Sequence, residues 1–254
     1  TMATLSATGQ DKIKKGFDPV LEGFSFVPFD DVDALASAVD DRTCAVMLEP
    51  IQGGGGICCP APDFLQKVRE LCDRRGVLMI LDEIQTGMGR TGTLFAHEHD
   101  RVTPDIMTLA KALANGLPIG AMLATETVAA AFGPGAHAST FGGTPLVTAA
   151  ALETLRLMVD EGFAARARET GEYFEAALKQ LKLHHHRILE VRGRGLLLGI
   201  RLDGPADKMV PILMEKGFLV NCVQGHTLRF VPPLIIQKAE IDELIRCLDN
   251  TLTR

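Results

Sequence analysis

No apolar run in this chain approaches the ~20 residues needed to cross a bilayer; Val77 to Leu81 and Leu117 to Ala124 are among the longest, so a membrane-spanning role is not expected. Dense Lys/Arg blocks are absent and the net charge is −6, which makes nucleic acid and anionic membranes poor partners and a metabolite-sized ligand the better expectation. The six cysteines (Cys44, Cys58, Cys59, Cys72, Cys222, Cys247) show no CxxC spacing and read as free thiols of a reducing compartment. The opening residues TMATLSATGQ have neither the basic start nor the apolar core of a secretory signal, so a cytoplasmic protein is expected. Nor is there a GxxxxGK[ST] phosphate loop, which removes the P-loop ATPase reading of the apolar strand that ends in Asp82 and Glu83.

What is present is ordinary globular material, 254 residues that are 46% hydrophobic and 23% charged, enough for a sizeable core. Short apolar runs (Cys44 to Leu48, Val77 to Leu81, Asp105 to Leu109, Ile119 to Ala124) alternate with helical patterns, the rhythm of an α/β domain with a parallel-rich sheet. Pro60 and Pro62 precede a helix expected over Asp63 to Arg75, and Gly76 follows it. Val77 to Asp82 reads as a fully buried, parallel strand. Further helices are expected from Pro145 to about Glu161, from Phe163 to about Leu181 and from near Lys238. Strand-like VRGRGLLLGIRL, FLVNC and TLRFVPPLII lie between the last two. A boundary near residue 160 divides a large domain, 1–160, from a smaller α+β domain, 161–254. The run His184, His185, His186 has no Cys or acidic cluster to complete a metal site and reads as a solvated helix end.

Ligands of open α/β sheets bind at the carboxyl ends of the strands, which is where LDEIQTGMGRTG places Asp82. A carboxylate buried there needs a cation, and a protonated ring nitrogen would serve; a helix cap or structural ion pair is the plainer alternative. GMGRTG matches GxGxxG formally but begins five residues beyond Asp82 rather than in a tight strand-to-helix turn, so a dinucleotide site is rejected. Lys111 interrupts a segment, IMTLAKALANGLPIGAML, that is apolar on both sides. An amine in an apolar pocket has a lowered pKa and becomes nucleophilic toward an aldehyde. Ser139 and Thr140, in HASTFGG, suit a phosphate or could cap the helix near Pro145. Arg229, beside apolar Phe230 to Pro233, has the fork that reads a carboxylate, with a surface ion pair as the alternative.

EPIQGGGG, LDEIQTGMGRTG, LAKAL, HASTFGGTPL and LRFVPPL, in this order and spacing across almost the whole chain, resemble the class III, ornithine-type aminotransferases. The resemblance implies a fold-type I domain whose cofactor is pyridoxal phosphate. It makes Lys111 the Schiff-base lysine, pairs Asp82 with the ring nitrogen and brings Gln85 to the ring hydroxyl. It gives Ser139 a substrate contact, Thr140 a cofactor-phosphate contact across a homodimer interface, and Arg229 the substrate α-carboxylate. The implied reaction exchanges the δ-amino group of N-acetylornithine with 2-oxoglutarate; ornithine, succinyl-diaminopimelate and 4-aminobutyrate are the alternative donors.

The chain departs from the family pattern at Gly54, where EPIQGEGG usually places a glutamate that pairs with the arginine when the dicarboxylate is absent. Phe141 and Thr144 replace the common Tyr and Asn. Family members also carry an upstream portion with a phosphate-binding Gly-Thr turn, an aromatic ring and a second arginine, and Thr1 falls after its place. A catalytically incompetent fragment or folding module is therefore the competing reading.

Overall fold

The computed structural model describes residues 1–253 and divides into two compact units, Thr1–Thr43 and Cys44–Arg254. The first unit holds three short helices, α1 (Met2–Ala7), α2 (Asp11–Lys14) and α3 (Val32–Ala38), the last capped by the Asp31 carboxylate, which accepts the Ala34 amide at 2.8 Å.

The second unit contains two sheets. Its first is ordered β1 (Ala45–Leu48), β2 (Leu78–Asp82), β3 (Ile106–Leu109), β4 (Ala121–Ala124), with β1, β2 and β3 parallel and β4 antiparallel at the edge. Between β1 and β2 runs α4 (Phe64–Arg75), which stops at Gly76 in the left-handed conformation glycine adopts without strain. It is tied to the sheet through Asp105, whose Oδ2 accepts from Arg69 and from the Met79 amide, each at 2.7 Å. The expectation that β2 is buried on both faces is corrected. Met79 and Leu81 are sealed, while Leu78, Ile80 and Asp82 on the alternate face are only half-buried.

After α5 (Glu126–Ala129) come α6 (Pro145–Asp160) and α7 (Phe163–His184), separated by Gly162 as the periodicity predicted. The second sheet is ordered β5 (Ile188–Arg194), β6 (Leu197–Leu202), β8 (Thr227–Phe230), β7 (Asn221–Val223) and is antiparallel throughout. The strand-like VRGRGLLLGIRL is thus a hairpin, broken where Gly195 turns at φ +58°. The sheet packs with α7, α8 (Met209–Glu215) and α9 (Lys238–Leu252) around Phe174, Leu178, Leu198, Ile200, Leu228 and Ile241, all essentially sealed from water. Each such side chain contributes roughly 1.5–3 kcal/mol of burial free energy. We retain the division at residue 160 as a proposal; it lies in the α6–α7 turn, between the two sheets of one compact unit. His185 is not simply solvated, because its Nε2 contacts Asp249 Oδ1 on α9 at 2.6 Å. Among the described residues no helix is long and apolar enough to cross a membrane, and all six cysteines are free.

Candidate active site

The parallel register delivers the site. Leu48 pairs with Leu81 and Asp82 with Thr108, so Glu49, Asp82 and the segment leading from β3 to Lys111 emerge side by side at the carboxyl edge. Beyond Leu109 the chain passes through extended Ala110 to Lys111, which sits at φ +48°, a left-handed conformation uncommon for a non-glycine residue. This turn sends Leu113 and Ala114 into the core and Lys111 outward. An apolar pocket around Lys111 was expected; the residue is instead exposed, because the apolar neighbours that suggested burial point the other way. Loss of water around the amine is still the largest influence on it. That desolvation, with the charge of Arg229 acting in the same sense, holds Lys111 below the ordinary lysine range against Asp82 and Glu49.

Asp82 is half-buried and accepts the Ile84 amide at 2.9 Å through Oδ1. Glu49 accepts the Gly53 amide at 3.0 Å, and burial pushes its carboxyl up against the lowering influence of that bond and of Lys111 and Arg229. Arg229, on β8, donates from one terminal nitrogen to Gln85 Oε1 at 3.0 Å and from Nε to Asn221 Oδ1 at 3.1 Å. Burial lowers its pKa and Glu49 opposes that shift. Guanidinium nitrogens only donate, so the Gln85 oxygen must face Arg229 and its NH₂ is left over. A side chain at position 53 would come within 2.5 Å of Gln85 Oε1 and would displace that amide. Glu49 and Lys111 thus feel each other and both Asp82 and Arg229 electrostatically, yet none of the four forms an ion pair among the described residues.

The loop after β2 fixes this geometry. Glu83 is sealed and accepts from Thr86 Oγ1 (2.5 Å), the Ala96 amide (3.0 Å), and the amide and Nδ1 of His97 (2.9 and 3.0 Å). Burial pushes its carboxyl up, but these bonds outweigh that and leave it below the usual range. Arg90 donates to the carbonyls of Leu196 (3.0 Å) and Pro232 (2.6 Å), and burial brings its pKa to about 10, still charged at neutral pH. GMGRTG is therefore a clamp that fastens the Asp82–Gln85 loop to the sheet carrying Arg229. The clamp needs Gly171 on α7, where a Cβ would lie 2.3 Å from the Gly195 backbone, and Gly195, where it would lie 2.6 Å from Thr91.

Of the residues singled out in the sequence, the structure gathers Lys111, Asp82, Gln85 and Arg229 and does not gather Ser139 and Thr140 with them. Both hydroxyl residues are exposed; Ser139 Oγ accepts the Gly142 amide at 3.0 Å, and the helix they were weighed as capping starts from Thr144 instead. Glu49 was not counted as a site residue, although pairing β1 with β2 would have placed it. Nothing local marks Arg90, whose partners lie 106 and 142 residues further on.

For pyridoxal phosphate, the ring end of the site fits. It offers a carboxylate without a cationic partner, an amine held below its ordinary pKa, a free amide NH₂ on Gln85, and Thr108 Oγ1, buried without a hydrogen-bond partner opposite Asp82 in the β2–β3 register. The phosphate-binding role implied for Thr140 finds no counterpart within one chain.

Fold and site together define an α/β protein that gathers Glu49, Asp82, Lys111 and Arg229 at the carboxyl edge of a parallel-rich sheet. The family model "Aminotransferase class-III" matches residues 1–252, and the chain belongs to that family. It is 50% identical over 254 residues to acetylornithine aminotransferase of Caldanaerobacter subterraneus subsp. tengcongensis and 47% identical over 253 residues to that of Methanothermobacter thermautotrophicus. Each alignment covers 100% of this chain, which spans 64% and 65% of those curated relatives. Ornithine aminotransferase from Toxoplasma gondii ME49 superposes with TM-score 0.94 at 39% identity, covering 100% of this chain and 62% of its own. Acetylornithine aminotransferase from Elizabethkingia anophelis superposes with TM-score 0.85 at 35% identity, covering 91% and 60%.

Proposed function

We propose that this chain is the lysine- and carboxylate-bearing part of a pyridoxal-phosphate aminotransferase that transfers the δ-amino group of N-acetylornithine to 2-oxoglutarate, giving N-acetylglutamate semialdehyde and glutamate in arginine biosynthesis. The observation that carries the reading is the unpaired quartet of Glu49, Asp82, Lys111 and Arg229 at the sheet edge. Relatives named acetylornithine aminotransferase at 50% and 47% identity support the choice of donor, and six free thiols support a cytoplasmic setting.

Pyridoxal phosphate, when bound, supplies a carbonyl that condenses with amines and a ring that takes up the electron pair of a breaking C–H bond. Asp82 would hold a proton on the ring nitrogen through the carboxylate oxygen not bonded to Ile84, and the Gln85 NH₂ would be available to the ring hydroxyl. Lys111 Nζ, as the neutral amine, would hold the group through its carbonyl and would move the proton of the substrate Cα as a general base. Arg229 orients the α-carboxylate of glutamate or 2-oxoglutarate. We further propose a homodimer in which Ser139 and Thr140 of one copy serve the substrate and phosphate of the other. Their exposure beside Phe141 and Leu146, apolar and 83% and 72% exposed, supports this. That same exposure supports the competing reading, a module that carries the lysine without turning over in isolation.

Single-turnover bleaching of the cofactor-loaded protein distinguishes the donors. N-Acetylornithine is expected to react fastest among N-acetylornithine, ornithine and succinyl-diaminopimelate; fastest reaction with ornithine would overturn the choice of substrate.

A further inference from the structure

Arg229 is half-buried, yet its side-chain partners are two neutral amide oxygens, Gln85 Oε1 at 3.0 Å and Asn221 Oδ1 at 3.1 Å. Glu49 is the carboxylate whose charge reaches Arg229, and it does not pair with the guanidinium; Asp82, beside Glu49 and Lys111, does not pair with it either. Glu49 is turned onto the Gly53 amide at 3.0 Å and Asp82 onto the Ile84 amide at 2.9 Å. Position 54 has no carboxylate to offer, and its backbone oxygen is occupied by Gln224 Nε2 at 3.0 Å. A guanidinium loses more by partial dehydration than two neutral acceptors return, and burial does hold Arg229 below its ordinary pKa. It is orientated and poorly neutralised at the same time.

We infer that Gln85 is an uncharged latch on Arg229, a specificity-determining residue whose neutrality leaves the guanidinium, also held by Asn221, open to a ligand carboxylate. Resting on the reading of Arg229 as the carboxylate-binding arginine, this adds how access to it is set. A ligand carboxylate has only to replace one neutral hydrogen bond with charge-assisted, bidentate ones, and those are about twice as strong. Were the latch a carboxylate, the same ligand would have to break an ion pair first and would meet a like charge in doing so. The Gln85 amide also lies close over Gly53, where a Cβ would be 2.5 Å from its Oε1. The other charges facing this pair are Glu49, Asp82 and Lys111, and their contributions are common to every variant compared below. Dicarboxylate ligands are therefore admitted at all times, with no internal anion to displace.

The test is calorimetric titration of the full chain with glutarate, a dicarboxylate that lacks a reactive keto group, using wild type, Gln85→Glu, Gln85→Ala and Arg229→Ala. Far-UV circular dichroism checks that each variant is folded. Arg229→Ala is expected to abolish binding. Gln85→Glu, nearly the same shape, is expected to weaken it at least about tenfold, and Gln85→Ala to leave it within about twofold. A purely structural role for Gln85 orders the last two variants the other way, with the truncation worse than the isosteric change, and that order overturns the inference. Equal binding by wild type and Gln85→Glu overturns it as well, while the carboxylate reading of Arg229 survives. Absence of Arg229-dependent glutarate binding in the wild type overturns both.

Discussion

Removing the Glu83 carboxylate is the perturbation whose size the structure sets most closely. Its side chain has no exposed surface and accepts four hydrogen bonds. In Glu83→Ala the Ala96 and His97 amides and the Thr86 hydroxyl lose that acceptor in a region with little room for water. Each orphaned buried donor costs roughly 1–3 kcal/mol, and the relief of no longer burying a charge offsets part of the sum. A net loss of about 3–5 kcal/mol is expected, or about 6–20 °C in melting temperature at the ~2–4 °C per kcal/mol of a chain this size. Because Glu83 lies between Asp82 and Gln85, cofactor binding should weaken with stability. The pH dependence has a definite sign. The folded pKa lies below the unfolded one, so the contribution is complete above the unfolded value, 4.5, and is lost as pH falls through the lower folded value. Urea unfolding of wild type and Glu83→Ala at neutral pH and near pH 4 measures both effects. A loss under 1 kcal/mol at neutral pH, or a difference between the proteins that grows on acidification, would refute the reasoning.

Gly171→Ala drives a methyl into the Gly195 backbone, with its Cβ 2.3 Å from the carbonyl carbon, where no flexible side chain can yield. It should destabilise by about 3 kcal/mol or more, read from denaturant midpoints, whereas Gly204→Ala, with open space around it, serves as the control. Glu49→Gln withdraws a carboxylate that raises the Lys111 pKa, so the pH midpoint for reaction of Lys111 with pyridoxal phosphate should move down; Arg229→Ala should move it up. Absorbance titrations against pH follow both shifts. Thr140→Ala, at an exposed hydroxyl with no role in the folded chain, should leave stability unchanged within about 0.5 kcal/mol.

The parts of this protein that were legible in its sequence are those decided by local periodicity and punctuation. Apolar runs bounded by charge and Gly76 located β1, β2 and α4 to within a residue or so, and Gly162 located the α6–α7 break. Asp82, Gln85, Lys111 and Arg229 were singled out through motifs; the parallel register brings Asp82 and the Lys111 segment side by side, and the hydrogen bond to Gln85 joins Arg229 of the other sheet to them. Exposure was the weakest inference. Apolar neighbours suggested a buried Lys111, but a positive φ at that residue turns it away from them, and neighbouring composition carries no record of a single dihedral. The Arg90 clamp and the place of Asn221 beside Arg229 were invisible because both depend on partners brought together only by the tertiary fold. Ser139 and Thr140 lie on an exposed segment away from that group, and the motif that singled them out carries no record of which copy's site they would face in the proposed dimer.

The central claim is that Lys111 is the amine that takes up pyridoxal phosphate. Incubation with the cofactor, borohydride reduction and peptide mass mapping test it directly. The account predicts a pyridoxyl adduct on Lys111, accompanied by visible absorbance that Lys111→Ala abolishes; an adduct confined to other lysines, or equal absorbance in the variant, would contradict it.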